Sequence, residues 1–281
     1  MSFGCCLPLG SFVPQIEDKE KNALDTVTGI EKGLALLKSN GFDFGELTVG
    51  AVAGLTDEET YRLSEILEEN SYEIPVFNSF IPSRLPLTGN LVDRDEIAKY
   101  LDLVMSRIRR LNGKLIIFGS GGARRIPDGY PVEKGMSQLT DFLKLCNEYG
   151  EKYRLTVAVE PLNRKECNVI NTVAEGLTIV KDLNLPRIKL LADTYHMFEE
   201  SESFDIIEYA AHELVHVHLS DRNRLFPKET IEEGVDFLRL AQVLDKICYN
   251  GYFSFECKTD NFEKNSKEAL EYIKKIWGFD N

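Results

Sequence analysis

The segment Arg154-Leu155-Thr156-Val157-Ala158-Val159-Glu160-Pro161-Leu162-Asn163-Arg164 is a short, partly β-branched apolar run that stops at a carboxylate and a proline. Such a run reads as a buried strand ending at a loop, because proline has no amide proton with which to continue a sheet. Glu160 therefore stands at the C-terminal end of a strand. A carboxylate in that position costs free energy unless it is paired, binds a metal or takes part in chemistry. The pattern recurs downstream: Ile188–Ala192 closes on Asp193, Leu214–Val217 on His218, and Tyr252–Phe255 on Glu256. The intervals are 33, 25 and 38 residues, roughly one strand-plus-helix unit of a ~250-residue eightfold barrel. Four oxygen and nitrogen ligands converging from consecutive strand ends form a barrel-mouth arrangement.

The same alternation extends to the N-terminus. Phe3–Leu9 reads as a first strand, ending at Pro8-Leu9-Gly10, and Asp18–Ser39 as a helix with Ala23, Val27, Ile30, Leu34 and Leu37 at helical spacing. Phe42–Val49, which carries Glu46, is the second strand, and Thr56 with Glu59 three residues on makes a capping box for a helix running to about Asn70. A third strand, Ile74–Phe77, opens into a long loop over Asn78–Leu91. Long ordered loops in compact domains are commonly functional. A helix over Asp93–Leu111, a fourth strand at Lys114–Phe118 and a helix over Glu133–Tyr149 lead into the segment quoted above. Further helices are expected near Val173–Leu183, Phe204–His212, Val235–Tyr249 and Glu263–Trp277. Eight strands alternating with eight helices imply a parallel sheet closed into an α/β (β/α)8 TIM barrel, a single domain over residues 1–281.

Bulk properties narrow the partners. The net charge is −13, from 33 basic and 46 acidic side chains, which disfavours a nucleic-acid backbone or an anionic membrane surface. Hydrophobic residues make up 43% of the 281-residue chain, enough for a full core, yet no apolar run approaches membrane-spanning length. The N-terminus MSFGCCLPLG lacks the features of a signal peptide. Six cysteines without a C-x-x-C pair read as reduced thiols, which implies a cytoplasmic protein.

Each ligand candidate is weak alone, and the set carries the signal. Two Glu, one Asp and one His suit a divalent ion such as Mn²⁺, Mg²⁺ or Co²⁺, while the lack of Cys among them argues against structural zinc. His216 lies two residues before His218, on the same strand face but deeper, and reads as packing or support. His212 reads as solvated, and His196, three residues after Asp193, as a loop residue able to hold a substrate hydroxyl. Gly119–Gly122 fits neither phosphate-binding nor dinucleotide fingerprints and reads as a turn where backbone approaches substrate. Arg124 and Arg125 are equally consistent with a phosphate contact or with solvated charge. Cys5-Cys6 and Trp277 read as packing residues.

The motifs Glu160-Pro161-Leu162-Asn163-Arg164-Lys165-Glu166, Asp193-Thr194-Tyr195-His196-Met197, His218-Leu219-Ser220-Asp221-Arg222-Asn223-Arg224 and Phe255-Glu256-Cys257-Lys258 together resemble the xylose isomerase-like TIM barrel superfamily of sugar phosphate isomerases and epimerases. Within it they are most similar to the ketose 3-epimerases of the D-tagatose/D-psicose group. The resemblance implies one divalent ion, Mn²⁺ foremost with Mg²⁺, Co²⁺ or Zn²⁺ as alternatives, held by Glu160, Asp193, His218 and Glu256. It implies Glu160 and Glu256 as the catalytic acid/base pair, and Glu166, His196 and Arg224 as substrate-binding residues. It also implies a small sugar as partner and assembly as a dimer or tetramer. The chain departs from the pattern at Cys5-Cys6-Leu7-Pro8, where members acting on free ketoses often carry aromatic residues. An aldose–ketose isomerase, a polyol dehydratase and a catalytically silent sugar-binding barrel remain the rival readings. A DNA-repair endonuclease of the same superfamily is disfavoured by charge and by the four histidines of this chain.

Overall fold

The computed structural model describes residues 1–7, 25–230 and 232–278. Eight strands, β1 (Ser2–Cys6), β2 (Phe44–Thr48), β3 (Val76–Asn78), β4 (Leu115–Phe118), β5 (Thr156–Val159), β6 (Ile188–Asp193), β7 (Leu214–Leu219) and β8 (Tyr252–Phe255), pair in sequence order and close through β1 and β8. Every pairing is parallel. This is the (β/α)8 barrel expected from the alternation.

The helices are α1 (Thr26–Ser39), α2 (Val49–Gly54), α3 (Asp57–Asn70), α4 (Arg94–Arg110), α5 (Gly121–Arg124), α6 (Val132–Tyr153), α7 (Val173–Leu183), α8 (Thr194–Glu199), α9 (Ile206–Ala210), α10 (Phe237–Lys246) and α11 (Phe262–Ile276). The expected capping box closes α3: Thr56 Oγ1 accepts from the Glu59 amide at 3.1 Å, and Glu59 accepts from the Thr56 amide at 2.7 Å. The three helices beyond the expected eight are α2, α5 and α8. Each has four to six residues, too short for apolar periodicity to register, and each starts within three residues of a strand end. The first strand ends at Cys6, and the expected Pro8-Leu9-Gly10 stop and residues 18–24 of the first helix lie outside the described residues.

Alternation along the strands divides the protein into two apolar regions. One side of each strand packs under the helices in the main core. The other side points into the barrel, where Phe44, Val76, Leu115, Ile117, Ala158 and Leu191 form a separate cluster. Gly4 makes room for this plug, since a Cβ there would lie 2.1 Å from the Phe44 ring. Two residues further along the same strand faces come Glu46, Asn78, Gly119, Glu160 and Asp193. The barrel floor is thus apolar, and its C-terminal layer is polar.

Trp277 packs as expected, edge-on against Phe253 at 5.1 Å, with its indole N–H donating to the Phe237 carbonyl at 2.9 Å. No helix among the described residues is long and apolar enough to cross a membrane.

Candidate active site

Glu160 follows β5 directly, and its amide donates to the Phe118 carbonyl of β4 at 3.1 Å, so it leaves the strand in register. Its carboxylate fits because residue 119 is glycine: a Cβ there would lie 2.2 Å from Glu160 Oε2. Asp193 ends β6 and caps α8, with Oδ1 accepting from the amides of Tyr195 (2.7 Å) and His196 (3.1 Å). Its other oxygen, Oδ2, is buried and has no hydrogen-bond partner. His218, near the end of β7, is fully buried. Its Nδ1 lies 3.1 Å from Glu160 Oε1, 3.8 Å from Asp193 Oδ2 and 3.8 Å from Glu256 Oε2. One donor atom from each of Glu160, Asp193, His218 and Glu256 lies within 4.8 Å of the others.

Three carboxyls and one imidazole converge here with one carboxylate oxygen unpartnered. That donor set fits a hard or borderline divalent cation, which would satisfy Asp193 Oδ2 and offset the crowded negative charge.

Electrostatics separate the two glutamates. Burial favours the neutral form of Glu160, but the hydrogen bond and charge of His218 overrule it and hold the carboxyl at about 2. Burial pushes Glu256 up to about 7, with the Glu160 and Asp193 charges adding to the rise against His218 and Arg224. Burial works against the His218 cation, yet the Glu46 and Glu256 charges raise it well above the ordinary histidine range.

The residues expected to hold substrate border this cluster. Asn163 forms a local turn in which its Oδ1 accepts from the Lys165 and Glu166 amides, at 3.1 and 3.2 Å, and this turn presents Glu166. The Asn163 amide donates to His196 Nδ1 at 3.0 Å. His196 Nδ1 is therefore an acceptor, and Nε2 faces the other way. Arg224 Nη2 stands 2.7 Å from that Nε2 and 3.4 Å from Glu166 Oε2, while Nη1 pairs with Glu256. Asn223 and Arg224 both have left-handed backbone, with φ of 61° and 57°. The turn is secured by Asp221 Oδ1, which accepts from the Arg222 and Val235 amides, and by the Lys258 amide donating to the Arg224 carbonyl at 2.6 Å. The Arg224 guanidinium also lies over the Tyr195 ring, 4.8 Å from its centroid. All seven residues singled out in the sequence are thus brought together.

Several secondary readings change. Arg124 is neither a phosphate contact nor a solvated charge: it is fully buried and donates to the carbonyls of Phe118 (3.0 Å) and Ile170 (3.3 Å). Arg125 is exposed, in line with the solvated-charge reading, and donates to the Glu166 carbonyl at 3.0 Å. Cys5 packs in the core as expected, but Cys6 reaches the mouth, where its sulfur accepts from Asn78 Nδ2 at 3.2 Å. His212 is exposed, as expected. Glu46 is the buried residue of this site to which sequence reasoning gave no role. It is fully buried and touches both His216 and His218. The available signal was the position itself, a carboxylate within an apolar strand that requires a partner.

Fold and site together define a (β/α)8 barrel that gathers its ionisable groups at the C-terminal face, where barrels of this kind carry their chemistry. The chain belongs to the xylose isomerase-like TIM barrel family, whose model matches residues 34–276. It is 29% identical over 203 residues to a D-psicose 3-epimerase of Agrobacterium fabrum, covering 66% of this chain and 66% of that protein. For two further curated relatives, a D-psicose 3-epimerase of Enterocloster bolteae and a ketose 3-epimerase of Arthrobacter globiformis, the chain spans 52% and 35% of their lengths. Among solved structures, a D-psicose 3-epimerase from Clostridium cellulolyticum H10, determined with D-tagatose, superposes with a TM-score of 0.83 at 17% identity, covering 99% of both chains.

Proposed function

We propose that this protein is a divalent-metal-dependent sugar epimerase that inverts the carbon beside the carbonyl of a ketose, position 3. The observation that carries the reading is the convergence of Glu160, Asp193, His218 and Glu256 around one buried point, with Asp193 Oδ2 left unpartnered. The kinship with D-psicose and ketose 3-epimerases supports the sugar class.

Glu160, Asp193, His218 and Glu256 would hold the ion. When bound, it supplies Lewis-acid stabilisation of the negative charge that develops on the sugar's oxygens. Inversion then needs a proton taken from one face of the carbon and one returned on the other. Of the three converging carboxyls, Asp193 is tied down as the cap of α8, and Glu160 and Glu256 serve as this pair. General acid–base transfer of this kind contributes about 10²–10⁴-fold in rate.

Glu166, His196 and Arg224 orient the sugar. His196 Nε2 and Arg224 Nη2 stand 2.7 Å apart, so that both can reach one sugar hydroxyl. Glu166 adds an acceptor on the same side. The floor beneath the site is apolar.

The test is product analysis. Incubation with Mn²⁺ and a series of ketopentoses and ketohexoses should convert at least one of them to its C3 epimer. Formation of the corresponding aldose instead would replace epimerisation by isomerisation on the same groups. Binding of a ketose without any conversion would establish the silent-barrel reading.

A further inference from the structure

We infer that Glu46 is a positioning residue that sets the orientation and tautomer of His218, and that His216 in turn anchors Glu46. The inference rests on the reading of Glu160, Asp193, His218 and Glu256 as a metal centre. Glu46 lies on β2, across the barrel from β7, and is fully buried. Its Oε1 stands 3.0 Å from His218 Nε2 and its Oε2 stands 3.2 Å from His216 Nε2. The two rings meet edge to face, with centroids 4.9 Å apart and planes at 84°. Both oxygens of one carboxylate are therefore engaged by two imidazoles of the same strand.

An ionised carboxylate only accepts, so each Nε2 that faces it must carry a proton. For His218 the Nε2 proton is thus held by Glu46, and the proton that an ion would displace is the one on Nδ1, the atom aimed at Glu160, Asp193 and Glu256. A histidine fixed through its far nitrogen by a carboxylate is a better-oriented and more basic ligand. His216 has the complementary role. Its own Nδ1 is buried without a partner, so its Nε2–H bond to Glu46 is its one polar tether among the described residues. It prevents the carboxylate from swinging away from His218. Cys6 lies close enough to Glu46 and His218 for the three to hold an ion of their own. The Asn78 donor on its sulfur and the two imidazoles on Glu46 instead give each of these groups a protein partner.

Calorimetric titration of the metal-free protein with Mn²⁺, in the wild type and in Glu46→Gln, tests this. The glutamine keeps the shape but presents an amide donor to one of the two Nε2–H groups. The expected result is one ion bound by the wild type and an affinity about 10–100-fold weaker in the variant, with the circular dichroism of the metal-free forms matching. A ¹⁵N-histidine NMR spectrum of the wild type with diamagnetic Zn²⁺ gives a second readout that a merely structural role does not move. His218 should carry its proton on Nε2 and show the metal shift on Nδ1, and this decides the matter even if Glu46→Gln does not fold. Equal affinity in a folded variant, or a His218 proton on Nδ1, overturns the inference while leaving the metal centre standing. A second equivalent of ion in the wild type that disappears in Cys6→Ser also overturns it, by making Glu46 a ligand. A wild type that binds no ion removes the metal reading itself.

Discussion

The two halves of the barrel end their strands in different chemistry. In the second half, β5 to β8 deliver Glu160, Asp193, His218 and Glu256, the ionisable cluster. In the first half, the positions that face them are Cys6, Glu46, Asn78 and Gly119: a thiol, a carboxylate already paired to two histidines, an amide and a residue with no side chain. The second half supplies the convergent ionisable groups, and the first supplies room and hydrogen bonds. A charged group at a strand end is therefore not sufficient to assign it to the chemistry. Glu46 and Glu160 are both buried carboxylates, yet they face opposite nitrogens of the same His218 ring.

Substitutions that cross this division should have graded effects. The largest belongs to the second half. Glu160→Gln should lower kcat by about 10²–10⁴-fold in steady-state assays on the active ketose. Next comes Gly119→Ala, in the first half. Its methyl group would displace the end of the Glu160 side chain, and a misplacement of about 1 Å in a catalytic group costs on the order of 10²-fold in rate. Full activity in Gly119→Ala would break the claim that this half provides essential room.

The pH dependence of metal binding separates the halves in another way. An ion requires Glu256 as a carboxylate and His218 without its Nδ1 proton, and both groups titrate above their ordinary ranges in the metal-free protein. Mn²⁺ affinity measured by calorimetry should therefore rise from pH 5 through pH 7, by about tenfold per unit for each proton displaced. The stability of the metal-free protein runs the other way. Glu256, at about 7 in the fold against roughly 4.3 in an unfolded chain, holds its proton more tightly when folded. Its contribution is present below the unfolded value and is lost as pH rises through about 7. A flat affinity profile would contradict this account of the cluster. The smallest effect is expected at Asn78, whose Oδ1 is buried without a partner beside Cys6. If it accepts from a sugar hydroxyl, Asn78→Ala should raise KM by roughly fivefold, the worth of one hydrogen bond of about 1 kcal/mol, with kcat little changed.

The same division decides how much could be read from the sequence. In the second half each apolar run stops on a charged residue, and the four stops repeat at barrel spacing, so strand, position and chemistry are written together. Glu166, His196 and Arg224 became legible through the motifs around those stops. In the first half Glu46 is set within its strand, and its partners are 170 and 172 residues away, a distance that no local pattern spans. Arg124 shows the converse error. A loop arginine beside glycines suggests an anion or solvent, but its guanidinium is used to hold the carbonyls of Phe118 and Ile170. The short helix α8 is invisible in the sequence because six residues give no period, although its cap, Asp193, stands out there for a different reason. One side chain serves both needs, with Oδ1 capping the helix and Oδ2 facing the cluster.

The most direct test of the central claim is solvent exchange followed by NMR in deuterated water, with Mn²⁺ and the ketose that gives a C3 epimer. Deuterium should enter at the carbon beside the carbonyl in step with epimer formation in the wild type, and should fail to enter with Glu256→Gln. Epimer formation without deuterium incorporation, or undiminished exchange in Glu256→Gln, would contradict proton transfer by this pair of carboxyls.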